Sequence, residues 1–161
     1  MCDCGFAKEN HWFRYRAGAI LIYDDKMLFV RSKISNYYYI IGGGVHFGET
    51  SDKCIEREVY EESGMKAKAD NLAVVCENFF KGYGGVIEGL DCHTIEFYYR
   101  MTVSDAEYKK CKSCTDDKEE LVWLNIDEIE HAEIKPTIIQ ERIKEILMNH
   151  ATIHVVEERD R

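Results

Sequence analysis

The sequence predicts an α/β fold in one domain, on three observations. Runs of β-branched and aromatic residues recur along the chain, as expected for strands. Two stretches carry a helical apolar pattern. A length of 161 residues with 45% hydrophobic content suffices for one substantial core. We therefore expect a single domain over residues 1–161, in which residues 1–13 form a loosely ordered lead-in because they show little periodicity.

Strands are expected wherever these apolar runs occur. Residues 15–23 and 27–31 flank a short polar turn and predict a hairpin. The aromatic run at residues 37–41 leads into three glycines and predicts a strand that ends in a loop. Further strands are expected at residues 72–80, 93–103 and 120–126, with a glycine-rich loop between the first two of these.

Two helices are expected. Residues 51–63 contain no glycine or proline, Thr50 or Ser51 can cap the start, and Gly64 can close the end in a left-handed turn. Ile55 and Val59 supply the core-facing side of this helix. The second helix starts near Pro136, which suits a first-turn position, and continues through residues 137–149.

The composition excludes several classes of function. A formal net charge of −9 and a pI near 5.2 disfavour binding to a nucleic-acid polymer, which needs clustered lysine and arginine. A small phosphorylated ligand stays compatible if metal ions supply the positive charge. No run reaches the roughly 18 apolar residues of a membrane span. The seven cysteines are an odd number without an apolar signal segment, which favours reduced thiols in the cytoplasm.

Three glutamates are expected on one face of the first helix. At about 100° per residue, Glu58, Glu61 and Glu62 fall within an arc of roughly 100°. Like charges at this spacing destabilise a helix, so a bound cation would account for the cluster. Mg²⁺ prefers carboxylate oxygens and completes its shell with water and phosphates. The alternative is a solvated acidic face, but the glycines on both sides and Arg57 favour a metal site.

The spacing around these glutamates resembles the signature of the Nudix hydrolases. Gly43 is followed by Glu49, then by Arg57-Glu58-Val59, Glu61-Glu62 and Gly64-Met65. The resemblance implies an α/β/α sandwich with a mixed β-sheet between helices. It also implies hydrolysis of a nucleoside diphosphate derivative with Mg²⁺ or Mn²⁺. The residues that it assigns to the metal are Glu58, Glu61, Glu62 and a carbonyl of Gly42 or Gly43.

The same resemblance implies roles for neighbouring residues. Arg57 and Glu49 correspond to the pair that ties the loop to the helix, and Arg57, Glu58 and Glu61 count among the catalytic candidates. Family members often add a glutamate ahead of a late strand. Here Glu119 and Glu120 both precede Trp123, and either would serve as general base or extra metal ligand, or be a solvated loop carboxylate. We take Glu120 as the catalytic candidate.

The sequence departs from the family pattern in the loop. Ile41 stands where many relatives have proline, and His46 stands where they have glutamate. His46 is either tolerated at the rim or contacts the substrate. His93 would donate to a phosphate or be held by a structural hydrogen bond. Among aromatic residues that can stack on a nucleobase, Tyr39 and Phe80 are the candidates, although aromatic residues in strands are more often core.

Several alternatives stay open at this stage. A Nudix-fold module that binds a nucleotide without cleaving it is the main rival, and an isoprenoid diphosphate isomerase is a weaker one. Four thiols could hold a structural zinc ion, although their spacing is not typical. These are Cys2, Cys4, Cys111 and Cys114. The family includes many dimers, so both a monomer and a homodimer are compatible with the sequence, and the identity of the nucleotide substrate is not specified.

Overall fold

A continuous mixed β-sheet runs through the computed structural model, which describes residues 2–33 and 36–158. In the described part of the chain the strands are β1 Gly5–Lys8, β2 His11–Tyr23, β3 Lys26–Arg31, β4 Tyr38–Tyr39, β5 Gly42–Gly44, β6 Lys68–Lys81, β7 Asp91–Thr102, β8 Glu120–Asn125, β9 Ile134–Lys135 and β10 Ile153–Glu158. The helices are α1 Ser51–Ser63, α2 Asp105–Tyr108, α3 Ile126–Ile129 and α4 Thr137–Met148.

The strand order places β2 at the centre of the sheet. The order is β10-β6-β7-β2-β3-β4-β9, and in addition β1 and β5 pair with β2 while β8 pairs with β3. Strands β2 and β7 are parallel from His11 opposite Asp91 to Ile22 opposite Thr102. The expected hairpin between β2 and β3 forms, with Asp24 and Asp25 both in the left-handed region, at φ 48° and 55°. Two such residues in succession match the turn that suits the twist of a two-residue hairpin.

Helices cover both faces of the sheet, as the α/β/α prediction requires. On one face α1 buries Ile55 and Val59 in a cluster that includes Leu21 of β2. On the other face α4 buries Ile139 and Ile143 in a cluster that includes Tyr98 of β7. The predicted α/β class and the mixed sheet between helices are therefore confirmed. Among the helices of the described residues, none is long and apolar enough to cross a membrane.

The ends of both main helices follow from the residues around them. Helix α1 begins after Thr50, which has an extended backbone, and ends at Gly64, whose φ of 79° lies in the left-handed region that glycine tolerates. Helix α4 begins one residue after Pro136. The backbone N–H of Thr137, in the first turn, donates to Oε1 of Glu157 on β10 at 3.0 Å. A carboxylate from the edge strand therefore stabilises the positive end of the helix.

The expectation of a loose lead-in over residues 1–13 is wrong for the described residues among them. Gly5–Lys8 pairs antiparallel with the start of β2, and residues 2–4 contact the loop after β5. This segment has no alternating apolar pattern because β1 faces solvent, so periodicity does not indicate it. Strand β10 was not predicted either. It buries Ile153, Val155 and Glu157. Because this alternation is short and includes a charged residue, it does not stand out as a strand pattern in the sequence.

Candidate active site

A guanidinium fixes the loop after β5 against helix α1. Arg57 donates from Nε and Nη2 to the two carboxylate oxygens of Glu49, at 2.9 and 3.0 Å. Its Nη2 also donates to the carbonyl of Gly44 at 3.3 Å. The hydrogen bonds from Arg57 lower the pKa of Glu49 to about 2. This planar, two-point contact fits arginine rather than lysine and makes the loop and the helix one rigid unit.

The backbone of Gly43 leaves room for a carboxylate of α1. A Cβ atom at this position would lie 2.2 Å from the carboxyl carbon of Glu58, so no other residue fits without displacing that side chain. Glu58 and Glu61 both accept from Nη1 of Arg57, at 2.7 and 3.0 Å. The two carboxylates thus already share one cation, as carboxylates that bind a hard metal ion would do.

Glu62 lies deeper than Glu61, in a position that disfavours its charge. Burial and the neighbouring Glu58 raise the pKa of Glu62 to about 7, against the lowering effect of Arg16. Glu56 of the same helix has a different environment, since it accepts from Lys53 at 2.9 Å and from the backbone N–H of Ala69 at 3.2 Å. Helix α1 therefore directs Glu58, Glu61 and Glu62 to a common site and uses Glu56 to hold β6.

These three glutamates line one pole of a cavity of about 840 Å³. The cavity lies on the sheet face that carries α4, because Arg16 and Ile20 of β2 point to the same side. Its acidic pole also includes residues before β8, and its opposite wall is largely aromatic and aliphatic. The residues of this aromatic wall are Trp12, Phe80, Tyr83 and Ile87.

The cavity floor is a buried ion pair. Arg16 donates from Nη1 to Oε2 of Glu96 at 3.0 Å and from Nη2 to the carbonyls of Ile40 and Gly42, at 3.3 and 3.4 Å. Burial by itself raises the pKa of Glu96, but Arg16 lowers it, and so do hydrogen bonds from Asn78, Thr94 and Tyr98, so that the net direction is downward. The network fixes Arg16 beneath the glutamates of α1.

A second acidic segment lies beside the glutamates of α1 in the same pole of the cavity, and its Glu119 and Asp117 contribute to the raised pKa of Glu62. It comprises Asp116, Asp117 and Glu119, which all line the cavity. The hydroxyl of Tyr39 on β4 donates to Oε2 of Glu119 and so orients that carboxylate. Burial and this bond to Glu119 raise the pKa of Tyr39. Glu120 is placed differently: its side chain is 60% exposed, lies 3.6 Å from Arg31 and does not line the cavity.

The structure brings some of the predicted site residues together and leaves others apart. Gly42, Glu58, Glu61, Glu62, Tyr39 and Phe80 line the cavity. His46 does not. Its ring lies 3.4 Å from Asp3 and 3.7 Å from Glu49, and its backbone N–H donates to Glu49 at 3.1 Å. His93 packs between Phe79 and Phe13, with ring centroids at 4.3 and 5.8 Å, on the other side of the sheet.

Sequence reasoning missed the contribution of β2 to the cavity. Trp12, Arg14 and Arg16 all line it. They occupy alternate positions of one strand and therefore point to one face. This alternation of an aromatic residue with two arginines was visible in the sequence, but the segment was assigned partly to the lead-in. Lys135 of β9 also lines the cavity, with its ammonium 4.4 Å from the centre of the Tyr37 ring.

The donor set fits a hard divalent cation. Glu58, Glu61 and Glu62 line the cavity together with Gly42, and Glu58 also lies against Gly43. The guanidinium shared by Glu58 and Glu61 shows that positive charge is accommodated there. In the arrangement observed for residues 2–33 and 36–158, no three His, Cys, Asp or Glu side chains converge closely enough to hold a metal ion. The zinc alternative at Cys2, Cys4, Cys111 and Cys114 gains no support, because these thiols do not form a metal-binding group among the described residues.

Comparison with known proteins places the chain in a family. A family model described as NUDIX domain matches residues 12–145, which is most of the sequence. The protein therefore belongs to the Nudix family. Over 66 residues it is 30% identical to a MutT-like protein of Streptomyces ambofaciens, a stretch that covers 41% of this chain and 43% of the relative. The matched part thus spans less than half the length of that relative.

Solved structures share the fold at low sequence identity. A NUDIX hydrolase from Nitrosomonas europaea superposes with a TM-score of 0.64 at 14% identity, over 89% of this chain and 79% of its own. A UDP-X diphosphatase superposes with a TM-score of 0.62 at 19% identity, over 88% of this chain and 66% of its own. An ADP-ribose pyrophosphatase from Streptococcus suis superposes with a TM-score of 0.62 at 12% identity, over 88% of this chain and 98% of its own. At such identities the likeness shows the fold alone.

Proposed function

We propose that the protein is a metal-dependent hydrolase that cleaves the diphosphate linkage of a nucleoside diphosphate derivative. The observation that carries this proposal is a single cavity with the glutamates of α1 at one pole and an aromatic wall at the other. Carboxylates suit a Mg²⁺ or Mn²⁺ ion that binds phosphate oxygens. Flat rings suit a nucleobase. The volume of about 840 Å³ accommodates a ligand with both parts.

In this proposal Glu58, Glu61 and Glu62 hold the metal, together with the carbonyl of Gly42 or Gly43. The bound ion would neutralise phosphate charge and lower the pKa of a water molecule. Arg16 and Arg14 extend the positive charge along the cavity and bind the diphosphate. Trp12 and Phe80 stack on the base. Because the chemistry consists mainly of positioning and charge stabilisation, the protein need not form a covalent bond.

Glu119 replaces Glu120 as the proposed general base. Its carboxylate lines the same pole of the cavity as the glutamates of α1, and the hydroxyl of Tyr39 holds one of its oxygens, Oε2. The other oxygen, Oε1, lies 3.5 Å from the backbone nitrogen of Lys33 and would accept the proton of the attacking water. Glu120 contacts Arg31 instead.

Two of the proteins with similar structures suggest test substrates by their names. One is a UDP-X diphosphatase and the other an ADP-ribose pyrophosphatase. Both names contain a nucleoside diphosphate joined to a second group. We therefore propose substrates of this kind before nucleoside triphosphates. The two arginines of β2 and the aromatic wall are compatible with a pyrimidine or a purine base.

The test is a hydrolysis assay with ADP-ribose, a UDP-sugar and a nucleoside triphosphate, each with Mg²⁺ and with Mn²⁺, followed by phosphorus NMR. We expect release of a nucleoside monophosphate from at least one nucleoside diphosphate derivative. Reaction in water that carries heavy oxygen should place the label on a phosphate product, which reports attack on phosphorus. Tight nucleotide binding without hydrolysis under both metals would contradict the proposal and favour the non-catalytic binding module.

A further inference from the structure

Residues 2–5 form a segment, here called the strap, that lies along the loop between β5 and α1. The backbone N–H of Cys4 donates to the carbonyl of Val45 at 2.7 Å, and the N–H of Phe47 donates to the carbonyl of Cys2 at 3.0 Å. On its other side Val45 donates to the carbonyl of Tyr15 at 3.1 Å. The loop is therefore held between the strap and β2, in the manner of a strand between two neighbours.

The side chain of Asp3 is the centre of this contact. Its Oδ2 accepts from Nη2 of Arg14 at 3.0 Å, and its Oδ1 lies 3.4 Å from Nε2 of His46. A Cβ atom on Gly44 would lie 2.2 Å from the same Oδ2, so the carboxylate reaches the loop backbone only because residue 44 is glycine. The carbonyl of Gly44 in turn accepts from Arg57. Asp3 and Arg57 thus both contact Gly44, the last residue before the loop.

Through Arg14 the strap also reaches the cavity. Arg14 lines the cavity next to Trp12, and its guanidinium carbon lies 6.0 Å from the centre of the Trp12 ring. Asp3 itself does not line the cavity. A long arginine side chain loses considerable conformational freedom when it is fixed in one direction. The ion pair with Asp3 fixes this direction before any ligand binds.

We propose that Asp3 is a positioning residue that aims Arg14 at the phosphates of the substrate and braces the loop between β5 and α1. The assignment rests on the proposed function for the identity of the ligand. Because Arg14 contacts phosphate oxygens in the bound substrate and in the transition state alike, loss of its fixed direction weakens binding more than turnover. The expected signature is therefore a higher KM with a nearly constant kcat.

The first experiment compares Asp3→Asn, Asp3→Glu and the control Asp70→Asn with the wild type. Asp70 is an exposed carboxylate on β6 that does not line the cavity. We expect Asp3→Asn to raise KM about 5- to 10-fold, the size of coupling usual between contacting residues. Asp3→Glu should recover most of the loss because it restores the carboxylate, and Asp70→Asn should match the wild type. An unchanged KM in Asp3→Asn would overturn the proposal.

A double-mutant cycle then tests whether Asp3 acts through Arg14. In an Arg14→Gln background, Asp3→Asn should have little further effect on KM, because the side chain that it positions is gone. Effects that multiply instead would show that Asp3 acts independently of Arg14 and would overturn the assignment. Melting temperatures of all variants accompany the kinetics, and a simple loss of folding would lower kcat and the melting temperature together.

Binding of ADP by calorimetry separates this inference from the proposed function. If the wild type binds ADP but hydrolyses none of the substrates, the proposed function fails while the role of Asp3 stays testable through the dissociation constant. We expect Asp3→Asn to raise the Kd for ADP by the same factor as KM, with the same non-additivity toward Arg14→Gln. Equal ADP affinity in Asp3→Asn and the wild type would contradict the positioning role.

Discussion

Glu62 is the carboxylate of α1 whose ionisation the fold disfavours. Burial and the nearby Glu58 bring its pKa to about 7, so its charge is stabilised only when positive charge lies close by. Glu58 and Glu61 already share Nη1 of Arg57. Glu58 and Glu61 are therefore paired with a cation, whereas Glu62 is not paired with Arg57. This arrangement favours binding of a divalent cation beside Glu62.

We expect Glu62→Gln to lower kcat about 10³-fold, because a metal ion supplies several kcal/mol of charge stabilisation that depends on its ligands. Calorimetric titration with Mn²⁺ should show weaker binding in this variant. The matched control is Glu56→Gln on the same helix, which removes the contacts to Lys53 and Ala69 and should affect the melting temperature rather than kcat. Near-normal turnover in Glu62→Gln would contradict the metal assignment.

Glu119 and Glu120 are adjacent in sequence, but Glu119 lines the cavity and Glu120 lies at the surface. We expect Glu119→Gln to lower kcat roughly 10²-fold or more, as for loss of a general base. Glu120→Gln should leave kcat unchanged because the side chain pairs with Arg31 at the surface. The measurement is kcat at saturating substrate for both variants. The reverse ranking would restore Glu120 as the base.

At the residue scale, the sequence was sufficient to predict the three glutamates of α1 as a cluster. It was insufficient to assign the general base and the arginines that line the cavity with them. The spacing of Glu58, Glu61 and Glu62 follows from helical geometry, which is local. Glu119 and Glu120 are neighbours at the start of β8, so their side chains point to opposite sides. A shift of one residue in strand register decides which of the two faces the cavity. Arg14 lies ahead of the strand expected at residues 15–23, because β2 begins at His11. Arg16 lies within the expected strand, but a local pattern does not indicate which face of a strand lines a cavity.

At the scale of elements, the loop and α1 are joined by the pair of Arg57 and Glu49. The pKa of Glu49 in the folded protein is about 2, below the value near 4.3 of an unperturbed glutamate. This pair therefore contributes stability above roughly pH 4.3, and the contribution is lost as the pH falls towards 2.

We expect the wild type to lose free energy of unfolding between about pH 4.3 and pH 2 more steeply than Glu49→Gln, which lacks the titrating group. Urea unfolding at a series of pH values measures the difference. Arg57→Ala should destabilise the protein at neutral pH and lose activity as well, since it frees Glu49 and the carbonyl of Gly44. Parallel pH curves for the wild type and Glu49→Gln would show that the pair does not titrate as described.

Helix α4 and strand β10 depend on one another. Glu157 accepts from the backbone N–H and the hydroxyl of Thr137, at 3.0 and 3.2 Å, in the first turn of the helix. We expect Glu157→Ala to lower the free energy of unfolding by about 1 kcal/mol, the usual cost of losing a contact of this kind at a helix start. The exposed Glu141 of the same helix serves as the control in Glu141→Ala. Equal stabilities of the two variants would exclude the capping role.

At the scale of the whole molecule, the cavity draws on strands from both sides of the central β2. Phe80 comes from β6 and Tyr39 from β4, and the strand order separates these by β7, β2 and β3. The α/β class and the helices were predictable because their patterns are local and periodic. The long parallel pairing of β2 with β7 and the position of β10 join distant segments, so local patterns do not specify them.

The aromatic wall gives a prediction at this scale. We expect Trp12→Ala to raise KM for a nucleoside diphosphate derivative about 10-fold, because stacking of a base on an aromatic ring contributes roughly 1–3 kcal/mol. Its effect on the Kd for inorganic pyrophosphate, which has no base, should be small. Phe6→Ala, an exposed aromatic residue of β1 outside the cavity, is the control. Equal losses for nucleotide and pyrophosphate would contradict base stacking at Trp12.

The contacts of Arg57 have a consequence for the order of events when a divalent ion arrives. One arm of the guanidinium occupies the space between Glu58 and Glu61, while the other arm is tethered to Glu49. An ion that bound these carboxylates would have to displace an internal competitor that stays attached to the helix. The apparent affinity for such an ion would be lower than the carboxylates alone would give, and the arginine would be in place to pair with them again once the ion left.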